Sequence, residues 1–269
     1  MQQKTKTQTP PKPVVKPILN GKWNAAETWK LVPKRFLSML LVAVAFIFFS
    51  VMAGVEQPTL RLIISAAIII LMFYFQMTKG MEVGEKDAAF SEIMYERQQE
   101  GRAVSEEDRA RCFHPLRGFV ATFFGILPFV LMCLVYAFVA KRWEYQLGVL
   151  PSWTDNLLMH EEMGDALAYY GATRAMTFAD GLRVVVRCLV MPYINFAGTF
   201  GNDAVLWAER LSPLLVMIVP MGFGVGYMQG HALRTRINTG IMQGVEKKKR
   251  KEMKARKKRQ RSSAPERLI

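Results

Sequence analysis

Polar and charged positions thin out at four places along the chain, and each gap is long enough to cross a membrane. Residues 36–53, 62–77, 116–140 and 211–230 are nearly continuous apolar runs, and a helix needs about 20 such residues to span a hydrocarbon core of roughly 30 Å. The first two runs are joined by a short connection in which Pro58 ends one helix and lets the next begin. They predict a transmembrane hairpin. Gly125 and Pro128 predict a kink in the third run. In the fourth, Gly222, Gly226 and Gly230 recur every four residues and share one helix face. Small residues at that spacing admit the backbone of a second helix, which belongs either to this chain or, in a homodimer, to its copy. Ser38, Ser50 and Ser65 are expected to bond back to their own helix carbonyls.

A fifth run, 183–200, is apolar but interrupted. Arg187 would cost about 3 kcal/mol at mid-membrane, and Pro192, Asn195 and Gly198 break its second half. The pattern predicts a re-entrant or interfacial segment rather than a span. Between the spans, 78–117 mixes nine acidic with seven basic residues. There a helix is expected over 88–99, Gly101 separates it from a second, and Ser105 with Asp108 forms the capping box that opens the second, which ends near Phe113. The stretch 141–182 reads as an outside loop in which 152–170 makes an interfacial helix, with Met159, Met163, Ala166, Leu167 and Tyr170 on one face. At the N-terminus, 1–35 is a basic tail rich in Lys, Gln, Thr and Pro. Its first 17 residues are expected to be disordered, and a short juxtamembrane helix follows at 24–31.

The mean hydropathy of +0.11 resembles that of a soluble protein only because polar tails dilute the apolar runs. Net charge is +14, and most of it is local. After the last span, 231–269 holds fourteen Lys and Arg against three Glu. Its core is Lys247, Lys248, Lys249, Arg250, Lys251, Lys254, Arg256, Lys257, Lys258 and Arg259. With four spans and both termini inside, 29 of the 36 basic residues are cytoplasmic, whereas a fifth span exports the N-terminal tail and the charged loop. The positive-inside tendency selects four. The fold expected is therefore an all-α integral membrane protein. It has four transmembrane helices, one re-entrant or interfacial segment, a helical cytoplasmic loop and a basic C-terminal tail, set in the plasma membrane.

Chemistry is sparse. Cys112, Cys133 and Cys188 stand singly and form no metal or redox motif. His160 to Asp165 (HEEMGD) lacks the second histidine of a zincin helix, and the other histidines, His114 and His231, fall on the opposite side of the membrane. No phosphate-binding loop or nucleophile elbow is present. No cofactor, metal or enzymatic activity is expected. The polar group to watch is Arg183, Arg187, Asn195, Asp203, Glu209 and Arg210 at membrane depth. There Glu209 beside Arg187 or Arg210 would neutralise it and let the segment dip into the bilayer.

These features point first to a non-enzymatic scaffold or accessory subunit of a membrane complex. The alternatives are an insertase-like or ribosome-associated protein using its basic tail, and a small transporter subunit. An insertase groove needs a buried arginine facing the cytoplasm, and no span is expected to carry one, Arg117 standing at the very edge of the third run. Past the last span, Leu233, Ile237, Ile241 and Val245 continue a helical stripe. The tail is expected to lie on anionic headgroups in preference to ribosomal RNA, because from Glu246 onward it has no aromatic residue to stack on bases.

Overall fold

The structure is a computed structural model describing residues 14–52, 57–141, 152–154, 156–157, 159–160, 163–164, 167 and 177–262. Among these residues helix is the only regular secondary structure. The long helices are α1 (Ala26–Met52), α2 (Pro58–Gln99), α4 (Arg117–Val139) and α8 (Ser212–Ser262); α3 (Glu106–Arg111), α5 (Phe178–Leu189), α6 (Met191–Gly198) and α7 (Asn202–Arg210) are short. The four long helices are each apolar enough to cross a membrane. The protein is an all-α integral membrane protein. The interfacial helix expected over 152–170 lies largely outside the described residues.

Three helices exceed their apolar runs. The first begins at Ala26, ten residues before its run, and carries Pro33 inside it. The second does not stop at Met77 but continues to Gln99, so the expected loop helix is the end of the span itself. Nothing in 78–87 prevents this: Gly80 and Gly84 are tolerated mid-helix at about 1 kcal/mol each, and no proline intervenes. The last helix runs on through the lysine-rich stretch.

The chain divides into two compact units. The apolar unit comprises 29–77 and 119–223. Its core gathers Met39 and Phe46 from α1, Ile126, Cys133 and Tyr136 from α4, Val186 and Val190 around α5, and Val216 and Val219 from α8. Outward positions stay apolar, with Val44, Ile63, Ile70, Leu131 and Phe138 all exposed, as a lipid-facing surface requires. Ser38 departs from expectation. Instead of bonding to its own helix, its hydroxyl accepts from Gln76 Nε2 at 2.9 Å, because each side chain offers the other a buried polar partner across two helices. In the interrupted run, α5 and α6 meet at 92°. Pro192 sits in the first turn of α6, where its missing N–H costs nothing but an upstream continuation is barred. The segment is a bent pair and not one continuous helix.

The polar unit comprises the described residues of 1–28, 78–118 and 224–269. Within it, α2 and α8 run side by side in the same direction, since Gly84 meets Tyr227 and Gly230 while Glu92 meets Asn238 farther along. Gly101, at φ +75°, ends the turn after α2 in a backbone region that favours glycine. Ser105 then caps α3 by accepting from Asp108 N at 3.1 Å, as the capping box predicts. The N-terminal stretch is less free than expected. Val14 N donates to Thr239 Oγ1 at 2.9 Å, Lys16 pairs with Glu96, and Gly21 N donates to Phe113 O at 3.0 Å. Residues 14–22 are thus held as an extended strap against the two helices, because their backbone donors find acceptors there.

Candidate functional site

Three polar arrangements stand out. The first, in the apolar unit, centres on Glu209, which is fully buried at the end of α7. Arg183 engages it side-on, Nε to Oε1 at 3.1 Å and Nη2 to Oε2 at 3.0 Å. Arg187, one turn along α5, donates to Oε1 at 2.6 Å, and Tyr136 Oη of α4 donates to Oε2 at 2.9 Å. Arg183 Nη2 also reaches the Lys141 carbonyl at 3.2 Å. The carboxylate accepts four bonds, and charge-assisted bonds of this kind are what make a buried ion tolerable. Of the residues grouped from the sequence, Arg183, Arg187 and Glu209 lie together here, and Arg183 joins the Arg187–Glu209 pairing. Asn195 on α6 is not a partner, and Arg210 turns away, exposed, with its guanidinium 5.8 Å from the Trp207 ring centroid. Tyr136, 73 residues from Glu209, carries no sequence signal for the pairing.

The second arrangement, in the polar unit, was not anticipated. Arg234 of α8 bridges two carboxylates of α2, Nη1 to Glu85 at 3.0 Å and Nε to Glu92 at 3.0 Å, and Asn238 Nδ2 donates to Glu92 Oε1 at 2.7 Å. Burial on its own would lower the affinity of Arg234 for its proton. The hydrogen bonds and charges of Glu92 and Glu85 outweigh burial and hold it above the usual arginine value. Nearby, the wholly buried Arg117 donates to Asp87 Oδ2 at 3.0 Å and to the carbonyls of Arg111, Ala110 and Lys22. Tyr227 Oη donates to the same Asp87 oxygen at 2.6 Å. The available signal was spacing: Glu85 and Glu92 are seven apart on α2, and Tyr227 and Arg234 seven apart on α8. Complementary residues at that interval mark facing stripes on two long helices.

The glycines close these helices together. In the apolar unit a Cβ on Gly222 would fall 2.8 Å from the Phe73 carbonyl oxygen of α2, and in the polar unit a Cβ on Gly230 would enter the backbone of Gly84 and Glu85. Gly226 is buried as well. The partner on the glycine face is this chain's own α2, at both positions where the neighbours are defined.

The third arrangement is the basic end of α8. From 244 to 257 every residue is exposed, and among the described residues the ion pair there is the loose Arg250–Glu246 contact at 3.9 Å. Lys247, Lys248, Lys249, Arg250, Lys251, Lys254, Arg256 and Lys257 all lie on this bare helix. The side chains of Lys258 and Arg259 fall outside the described set.

One arginine of α1 lies just ahead of its apolar run yet inside the helix. Because α1 starts early, Arg35 lies inside it, half-buried, with its guanidinium 3.8 Å from the Phe223 ring centroid and with Nε and Nη1 lacking hydrogen-bond partners. The aromatic face supplies part of the compensation. Among the described residues no three His, Cys, Asp or Glu side chains come together as a metal would require; Glu161 and Asp165 are outside that set. Comparison with protein-family models, curated proteins and solved structures finds no match to the chain.

Proposed function

We propose that the protein is a non-enzymatic scaffold or accessory subunit of a plasma-membrane complex, with both termini and the 78–117 segment in the cytoplasm. The observation that carries this reading is the pairing of α2 and α8 in the polar unit. Two helices long enough to outlast a membrane span are locked side by side by Arg234, Asn238 and the glycine contacts. Such a paired extension gives a partner a fixed surface. Its polar groups are committed to one another, which suits support better than turnover. The Glu209 cluster is satisfied in the same way and favours structure over a transport path. Cytoplasmic placement is supported by the 29 of 36 basic residues it retains inside.

Crosslinking followed by affinity recovery from native membranes tests the reading. One dominant set of membrane proteins should accompany the full chain in fixed proportion. Recovery of the chain alone would refute it. A second reading, an insertase-like protein, is favoured by Arg35, whose Nε and Nη1 find no hydrogen-bond partner among the described residues of the apolar unit; insertion of membrane proteins unaffected by Arg35→Leu would remove it.

A further inference from the structure

The basic end of α8 carries a partner preference different from the one its composition suggests. Between Glu246 and Arg261 there are eleven Lys and Arg against two Glu, and the only apolar side chains are Met253 and Ala255. At 100° per residue the cations from Lys247 to Lys257 alone fall on every face of the helix. A helix that lies in a bilayer interface needs one apolar face to bury, and the stripe of Ile237, Ile241 and Val245 stops before the lysines begin. The helix also runs unbroken from Ser212 to Ser262, and Arg234 and Asn238 fix it alongside α2. At 1.5 Å per residue, Lys247 stands about 25 Å of helix beyond Gly230, the end of the apolar run. A tilt of 40°, the upper end for spanning helices, still leaves roughly 20 Å, against a Debye length of about 8 Å at physiological salt.

From these three observations, charge on all faces, no apolar face, and distance from the span, we infer that this helix docks into the phosphate-lined cleft of a folded RNA. A flat anionic surface can meet only half of the cations. The major groove of duplex DNA, about 12 Å wide, admits a helix between two phosphate walls but leaves its outer side open, whereas clefts between packed RNA helices present phosphates on more sides. The contact is through phosphate, since no aromatic side chain is available for stacking, and it carries little sequence preference. The inference extends the scaffold reading by giving its cytoplasmic end a partner, but the test does not depend on orientation, because a nanodisc exposes both faces.

The full chain is reconstituted in nanodiscs of neutral lipid and titrated with transfer RNA, with duplex DNA of equal phosphate content as the comparison. Neutralising about seven phosphates predicts an affinity loss on the order of a thousandfold between 50 and 200 mM salt. Truncation after Gly244 should abolish binding. Gln at each of Lys247, Lys248, Lys249 and Lys251 should weaken it at least tenfold, which keeps the test decisive if the truncated chain does not fold. Gly240 and Gly244 are where the helix could bend toward its own membrane, and a Cβ at either meets open space. The pair Gly240→Ala and Gly244→Ala should leave RNA affinity within twofold. Anionic lipid in the same nanodisc should change it less than threefold. Equal affinity for duplex DNA, RNA binding that survives truncation, or a more than tenfold loss in anionic nanodiscs, the mark of a tail captured by its own bilayer, would each overturn the inference.

Discussion

Replacing Glu209 by Gln keeps the side-chain shape and removes the negative charge that Arg183, Arg187 and Tyr136 share among the described residues. The amide oxygen can still accept two of the four bonds that Arg183, Arg187 and Tyr136 now donate, but the amide nitrogen then faces donors. Two guanidinium groups are left within contact of one neutral side chain. Arg183 is 11% exposed and cannot rehydrate; Arg187, at 30%, can do so in part. Removing one partner of a buried pair costs about 3–5 kcal/mol, and the partial exposure of Arg187 places this case near the lower end, about 3 kcal/mol. For a chain of this size that lowers the unfolding midpoint by roughly 6–12 °C. Thermal unfolding in detergent, followed by loss of the monodisperse gel-filtration peak, reads the change. The double variant Arg183→Met with Glu209→Gln should recover part of the loss by removing the stranded cation. Arg210→Gln, an exposed residue outside the cluster, should stay within about 0.5 kcal/mol of the parent. A midpoint for Glu209→Gln equal to that of Arg210→Gln, or a double variant no better than the single, would refute the view that this carboxylate holds α5 and α7 together.

Gly230→Val should destabilise by about 1–3 kcal/mol, because its Cβ enters the α2 backbone, whereas Gly240→Ala, in open space, should be neutral or stabilising by up to about 1 kcal/mol; unfolding midpoints of the two variants, measured side by side, decide. His114 accepts from Leu116 N through Nδ1 at 3.3 Å, and burial together with the neighbouring Arg117 charge lowers its pKa. The folded state therefore binds its proton less readily than the unfolded chain, so this stabilising contribution is present above pH about 6.5 and is lost as pH falls below it. A flatter stability profile between pH 7 and pH 5 in His114→Gln is the expected result.

The four spans were legible because an apolar run of sufficient length has few alternatives; the break at Pro192 was legible because a proline with no N–H to donate to an upstream carbonyl is followed closely by Asn195 and Gly198, whereas Pro33, Pro128 and Pro220 are carried inside long helices. The continuation of α2 was not, since Lys79, Glu82 and Glu85 look like the start of a loop when spans are cut at the edge of the apolar run. Those residues are polar because the helix has left the apolar unit, not because it has ended. Glu209 could be assigned a neutralising role from sequence, but choosing Arg183 and Arg187 over Arg210 depends on where α5 packs, which is a tertiary fact. The Arg117 and Arg234 networks join residues up to 149 positions apart, beyond the reach of local patterns, although the seven-residue spacing of Glu85 with Glu92 was visible.

The central claim is a polar unit on the cytoplasmic side, and labelling with a membrane-impermeant maleimide addresses it directly. Cys112 is an unsuitable reporter: it is fully buried, and burial raises its thiol pKa above the ordinary value, so it would stay unlabelled on either side. Exposed positions serve instead, in a background where Cys188 is replaced by Ser: Glu107→Cys at α3 in the polar unit, and Asn202→Cys at the start of α7 in the apolar unit. In intact cells the account predicts labelling at position 202 and none at 107 until the membrane is permeabilised. Labelling at 107 in intact cells, with 202 protected, would contradict it.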